Sequence, residues 1–112
     1  IETPAAAIIA DELGKYVDFF SIGTNDLVSY TLAIDRTNNE IAHMRDDYHP
    51  AIKRLIELTV AGAKKNDIEV GICGAMGADP KLLDFYLDIG LDEVSVSLNK
   101  ILETKRNVIN AD

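Results

Sequence analysis

The chain has 112 residues, with 11 basic against 19 acidic side chains, a formal net charge of −8 and 47% hydrophobic residues. That length supports one core and one domain, residues 1–112, and an acidic balance without a basic stripe excludes nucleic acid, whose phosphates demand clustered Lys and Arg. No apolar run approaches the ~20 residues of a membrane span, and the single cysteine, Cys73, excludes an internal disulfide, so a cytoplasmic, reducing compartment is expected.

The chain opens Ile1-Glu2-Thr3-Pro4 with no initiator Met and no charged leader, and reads as a piece of something longer. Thr3-Pro4 has the form of an N-cap followed by the first helical residue, predicting a helix over Ala5 to Leu13 with Gly14 as its left-handed stop. Val17 to Ile22 is β-branched and aromatic and predicts a strand. Gly23-Thr24-Asn25-Asp26 is turn and cap chemistry, leading into a helix from Leu27 to about Ile34. Asp35 to His49 is polar with little periodicity, a surface loop carrying a helical turn.

Pro50 opens the best helix, because Ile52, Leu55, Ile56, Thr59, Val60 and Ala63 repeat on one stripe. Lys64-Lys65 end it where the helix dipole favours cations, and Asn66 can take the left-handed conformation. Ile68 to Cys73 is a second strand. Asp79-Pro80 is another cap and first-position pair, starting a helix that runs to Ile89 and stops at Gly90. Glu93 to Ser97 is a third strand, and Asn99 caps a last helix, Lys100 to Ile109. Ile1-Glu2 fits the tail of a fourth strand.

Strands separated by amphipathic helices imply β-α units, hence an α/β fold with a parallel sheet and right-handed crossovers. The strands carry few surface-style alternations, as expected when both faces are covered. A (β/α)8 barrel needs ~250 residues, so the predicted architecture is about half of one.

In such architectures reactive residues sit at the C-terminal ends of strands. If the first two strand ends are neighbours they lie ~4.8 Å apart, close enough for the Glu2 and Asp26 carboxylates to share one hard cation such as Mg2+, which fills its remaining positions with water and substrate oxygens. The plain alternative is a frayed Glu2 and an Asp26 that serves as an N-cap. Gly23 permits close approach of backbone to a ligand, and Thr24 and Asn25 present donors beside a helix N-terminus, although an ordinary strand-to-helix turn looks the same. Arg36 follows an apolar helix and can reach back over the strand ends, where its fork suits phosphate or carboxylate; most lone arginines are solvated. Cys73, between Gly71 and Gly74, carries a thiol that is mostly protonated at neutral pH and can donate that proton, while a buried, inert cysteine is the commoner outcome in a strand. His43 and His49 read as structural, and Tyr16, Tyr30, Tyr48 and Tyr86 as core or rim residues.

Several ordered segments resemble the phosphoenolpyruvate-utilising enzyme family at its C-terminal barrel domain. They are Glu2-Thr3-Pro4-Ala5-Ala6, Phe19 to Leu27, Tyr30-Thr31-Leu32 with Asp35-Arg36, Tyr48-His49-Pro50-Ala51, Gly71-Ile72-Cys73-Gly74 and Gly90 to Ser97. They cover essentially the whole chain, and their order is more specific than any one of them. The short gap from Arg36 to His49-Pro50 and the Leu-Asp-Glu-Val-Ser ending are nearer to the branch serving sugar phosphotransferase systems than to the related dikinase and synthase. The resemblance implies the C-terminal half of a (β/α)8 barrel, with Glu2 and Asp26 as Mg2+ ligands. It implies Asn25 on the phosphoryl group, Gly23 and Thr24 beside it, and Arg36 on the phosphoenolpyruvate oxygens. Cys73 becomes the proton donor that turns enolpyruvate into pyruvate. The implied partner is a phosphocarrier protein, reached through an N-terminal domain not in this sequence; separately, the unpaired sheet edges and open apolar interior of a half-barrel predict a homodimer or larger assembly. Without the phosphorylatable histidine and the first half of the barrel, the chain alone is expected to be inactive. After Cys73-Gly74 the family usually carries Glu, whereas this chain has Ala75, a departure that bears on how the thiol is supported. A half-barrel acting only as an assembly module is the non-enzymatic alternative.

Overall fold

The computed structural model describes residues 1–111. Thr3 caps the first helix, its Oγ1 accepting from the Ala6 N–H at 3.2 Å, with Pro4 at the first helical position. The predicted single helix is instead two short ones, α1 (Pro4–Ile8) and α2 (Ala10–Leu13), broken at Ile9. At the break the chain turns to lay Ala10 and Asp11 on Gly62, where an added Cβ would come within 2.7 Å of their backbone atoms. The close crossing is incompatible with a straight continuation. Gly14 ends α2 in a right-handed conformation, φ −59°, so the predicted left-handed stop is not what it supplies.

β1 spans Phe19–Gly23, starting two residues after its predicted onset, and α3 follows without a gap at Thr24–Leu32. The left-handed residue that ends α3 is Ala33. The polar segment beyond it carries one 3-10 turn, Ala42–Met44, as the helical-turn expectation has it. α4 spans Pro50–Lys65 and buries all six residues of its predicted stripe. His49 caps it, with Nδ1 accepting from the Ala51 N–H at 3.1 Å. At its end Asp67 rather than Asn66 takes the positive φ, because Asn66 is held elsewhere: its amide donates to the carbonyls of Asp11 and Gly62 at 2.9 and 2.8 Å.

β2 spans Glu69–Cys73. The Asp79-Pro80 start is as predicted, Asp79 accepting from the Lys81 N–H, but the first turn is 3-10 and α5 proper is Leu83–Ile89, stopped by Gly90 at φ 78°. β3 is only Glu93–Val94, shorter than predicted. A further bond runs from the Ser95 N–H to the Ile72 carbonyl at 2.8 Å, after which no partner strand continues the ladder among the described residues. Asn99 does not cap the last helix: its Oδ1 accepts from the Ser97 hydroxyl inside a 3-10 turn, and α6 begins at Ile101 and runs to Asn110.

The three strands form one parallel sheet in the order β1-β2-β3, with Gly23 opposite Cys73 and Ile72 opposite Val94. The parallel α/β fold is thus as predicted. Ile1 extends the sheet beyond β1, its N-terminal ammonium donating to the Ser21 carbonyl at 2.7 Å and its carbonyl accepting from the Gly23 N–H at 2.9 Å. Phe20, Ile22, Val70 and Ile72 point to one face and are buried against α4 and α3, with α1 and α2 packed on α4 in the same core, to which each such side chain contributes about 1.5–3 kcal/mol. Phe19, Ser21 and Glu69 point to the other face and are exposed, so the expectation that both faces are covered does not hold. That face carries the small or polar Ser21, Gly71, Glu69 and Glu93 beside the exposed ring of Phe19.

Candidate active site

The C-terminal ends of β1 and β2 are tied together by side chains. Thr24, fully buried at the start of α3, donates from Oγ1 to the Cys73 carbonyl at 2.7 Å. Gly74 then turns at φ 97°, a region side chains rarely adopt, and a Cβ there would also collide with Thr24 Oγ1. The turn presents the Ala75 N–H to Asn25 Oδ1 at 3.3 Å. Because a backbone N–H only donates, the Asn25 atom that meets it is the oxygen, and the Nδ2 amine is the end left to donate to a ligand.

Glu2 lies against the last residue of β1: a Cβ on Gly23 would stand 2.8 Å from Glu2 Cγ and 2.9 Å from Oε1. Gly23 is therefore the residue that admits the Glu2 carboxylate to the sheet face. Its register partner Cys73 projects to the same face from the next strand, ~4.8 Å away along the ladder. The half-buried Cys73 thiol donates to the Ile22 carbonyl at 3.4 Å and lies 3.8 Å from the Ser21 hydroxyl. Cys73, Asn25, Gly74, Ala75 and Lys100 line an open cleft of about 570 Å³ above β2 and β3.

Asp26 sits in the first turn of α3 and does not serve as its N-cap; that position is Gly23, with no side-chain capping bond. Asp26 and Arg36 line a neighbouring concavity of about 510 Å³ together with Ser29 and Tyr30. Of the seven predicted site residues, the fold thus groups Glu2, Gly23, Thr24, Asn25 and Cys73 tightly at the strand ends. It puts Asp26 and Arg36 together on the far side of the α3 N-terminus.

No group of three or more His, Cys, Asp or Glu side chains suited to a metal occurs among the described residues. Glu2, against Gly23, and Asp26, in the neighbouring concavity, each offer hard carboxylate oxygens, the donor type that Mg2+ takes. That ion takes hard oxygen donors, needs one or two carboxylates, and keeps waters for its other positions.

Arg45, which the sequence reading passed over, is also at the site. Its guanidinium donates from Nη1 to the Asn25 carbonyl at 3.3 Å and to Ser29 Oγ at 3.2 Å, and from Nε to Asp47 at 3.1 Å. The only local signal is the Arg45-Asp46-Asp47 run, which looks like any solvated charge cluster. Further along, Tyr48 donates to Asp79; that hydrogen bond, ahead of the nearby carboxylate charges, raises the Tyr48 pKa above the ordinary tyrosine value. Thr37 donates to Asp35 from both its hydroxyl and its backbone N–H, which lowers the Asp35 pKa.

The family described as PEP-utilising enzyme, PEP-binding domain, matches residues 1–112. A phosphoenolpyruvate-protein phosphotransferase of Bacillus subtilis (strain 168) is 45% identical over 108 residues, 96% of this chain and 19% of that protein. The proteins of the same name from Mycoplasma capricolum subsp. capricolum and Haloferax volcanii are 45% identical over 105 residues and 44% over 112, covering 94% and 100% of this chain but 18% and 20% of theirs. The chain therefore spans about a fifth of the length of the curated relatives it matches. Among the described residues no helix is long and apolar enough to cross a membrane. Matched over its whole length, the chain belongs to the family of PEP-utilising enzymes, in their PEP-binding domain.

Proposed function

We infer that this chain is the C-terminal half of the (β/α)8 barrel of a cytoplasmic phosphoenolpyruvate-protein phosphotransferase, and that its strand ends hold phosphoenolpyruvate during Mg2+-dependent phosphoryl transfer. The observation that carries the reading is the row formed by Glu2, Gly23 and Cys73 on one sheet face, with Asn25 pinned beside it. Parallel barrels keep their chemistry at this end of the strands. The exposed sheet face, lined by Ser21, Gly71 and Glu93, supports its assignment to a barrel interior.

On this reading Glu2 and Asp26 hold Mg2+, which when bound neutralises charge on the phosphoryl and carboxylate oxygens of the substrate. Such transfer is catalysed by positioning and charge neutralisation. Asn25 donates from Nδ2 to a phosphoryl oxygen, and Arg36 pairs with substrate oxygens from the side where it shares a concavity with Asp26. The P–O bond to the enol oxygen breaks as the phosphoryl group passes to a histidine elsewhere in the complete protein, and from there to a phosphocarrier protein. The enolate left behind takes the Cys73 thiol proton at its methylene carbon and becomes pyruvate, and the thiolate recovers a proton from solvent through the open cleft. The S–H bond to the Ile22 carbonyl fixes the direction in which the thiol lies at the end of β2. The chain alone binds but does not turn over. It pairs with a second copy as a homodimer, which the exposed Leu98, Leu102 and Ile109 around α6 support.

Calorimetric titration of the chain with phosphoenolpyruvate, with and without MgCl2, tests the reading. Binding heat is expected only with the metal, and replacing Glu2 by Gln is expected to weaken it about tenfold or more, since even outer-shell partners of a metal carry that much. Metal-independent binding, or none, would contradict it.

A further inference from the structure

We propose that Arg45 is a positioning residue of this site, acting through Asn25; the catalytic part of the proposal rests on the phosphotransferase reading above. Arg45 lies in the polar segment between α3 and α4, yet its side chain is only 19% exposed. Asn25 and Ser29 are four residues apart and share one face of α3, and the guanidinium clamps them together, one bond to the Asn25 carbonyl and one to the Ser29 hydroxyl. In the helix that carbonyl already faces the N–H of Ser29, so Arg45 takes its second lone pair. Asp47 fixes the guanidinium from behind through Nε.

Asn25 is consequently held from two sides. Its backbone is fastened to the 35–49 segment by Arg45, and its side-chain oxygen to the Gly74 turn by the Ala75 N–H. Two anchors are needed because the bond to Ala75 is a long one between neutral groups, and a neutral hydrogen bond alone contributes little. A charge-assisted clamp is about twice as strong. A lysine could not replace it, since its ammonium lacks the planar fork that reaches three acceptors at fixed angles. The clamp fixes where Nδ2 points. It also makes the segment between α3 and α4 part of the site without any of its residues needing to touch the substrate.

Two measurements on the complete polypeptide that carries this chain test the proposal. Hydrogen exchange at residues 74–76 reads the clamp without reference to activity: Arg45→Met is expected to speed it about tenfold and Arg45→Lys to restore it only in part. Unchanged exchange would overturn the proposal even if the phosphotransferase reading stands. Pyruvate release reads its catalytic consequence. Arg45→Met is expected to lower kcat by about tenfold or more with KM for phosphoenolpyruvate changed by less than about threefold, and to cost under about twofold in an Asn25→Ala background. Equal losses in both backgrounds would mean that Arg45 does not act through Asn25. Faster exchange in a protein that forms no pyruvate from phosphoenolpyruvate would uphold the clamp and refute the reading of the reaction.

Discussion

The two faces of the sheet are built from alternate residues of the same short strands and behave oppositely. Phe20, Ile22, Val70 and Ile72 are sealed under α4 and α3, whereas Phe19, Ser21, Glu69 and Glu93 stand open. The difference separates the residues that make the fold from those that make the site. Glu2 and Cys73 reach the open face, whereas the strand residues on the covered face, Phe20, Ile22, Val70 and Ile72, are all apolar.

Substitutions should divide along that line. Ile22→Ala or Ile72→Ala is expected to cost about 2–5 kcal/mol, because both are buried to within 1% and the substitution leaves a cavity of three missing carbons that the packed helices only partly close. Phe19→Ala, at 64% exposure, is expected to cost under about 1 kcal/mol in the same urea or thermal melts. Comparable losses for the two faces would show that the open one is packed in solution.

Gly74→Ala attacks the seam between the faces. Forcing a side chain to φ 97° against Thr24 is expected to cost about 1–3 kcal/mol and to release the Asn25–Ala75 bond, visible as faster exchange of the Ala75 amide. Stability within 0.5 kcal/mol of the parent would mean that the turn relaxes freely.

On the covered side, Tyr86 donates to the Met76 carbonyl at 2.9 Å, and burial, followed by the charge of Asp79, raises its pKa well above the ordinary 10.0. A raised folded-state pKa means that the folded protein holds the proton more tightly than the unfolded chain. Its contribution is complete below pH 10 and declines as pH rises beyond it. Alkaline melts should show that decline, and Tyr86→Phe should flatten it at a cost near 1 kcal/mol, for the carbonyl left unpaired. An unchanged slope in the variant would assign the effect elsewhere. The smallest effect belongs to Ser21→Ala on the open face, expected within about 0.5 kcal/mol of the parent in stability.

Much of this was legible in the sequence. The apolar stripe of α4, the Thr3-Pro4 and Asp79-Pro80 starts and the Gly90 stop are local signals, set by helical period and backbone chemistry, and each is found where it was read. The misses share a cause in distant partners. The break at Ile9 follows from the crossing at Gly62, the φ of Asn66 from its bonds to Asp11 and Gly62, and the short β3 from the lack of a strand beyond it among the described residues. The site divides in the same way. Gly23, Thr24 and Asn25 are marked by turn chemistry, but nothing near Arg45 announces that its partners lie 16 and 20 residues earlier.

On the proposed reading, the Cys73 thiol at the end of β2 supplies the proton that completes pyruvate. The most direct test is Cys73→Ala in the complete polypeptide, following pyruvate release and phosphoenolpyruvate binding together. A loss of about 10²–10⁴-fold in pyruvate release is expected, the range for a general acid, with Mg2+-dependent binding retained. Normal pyruvate release from the variant would contradict it.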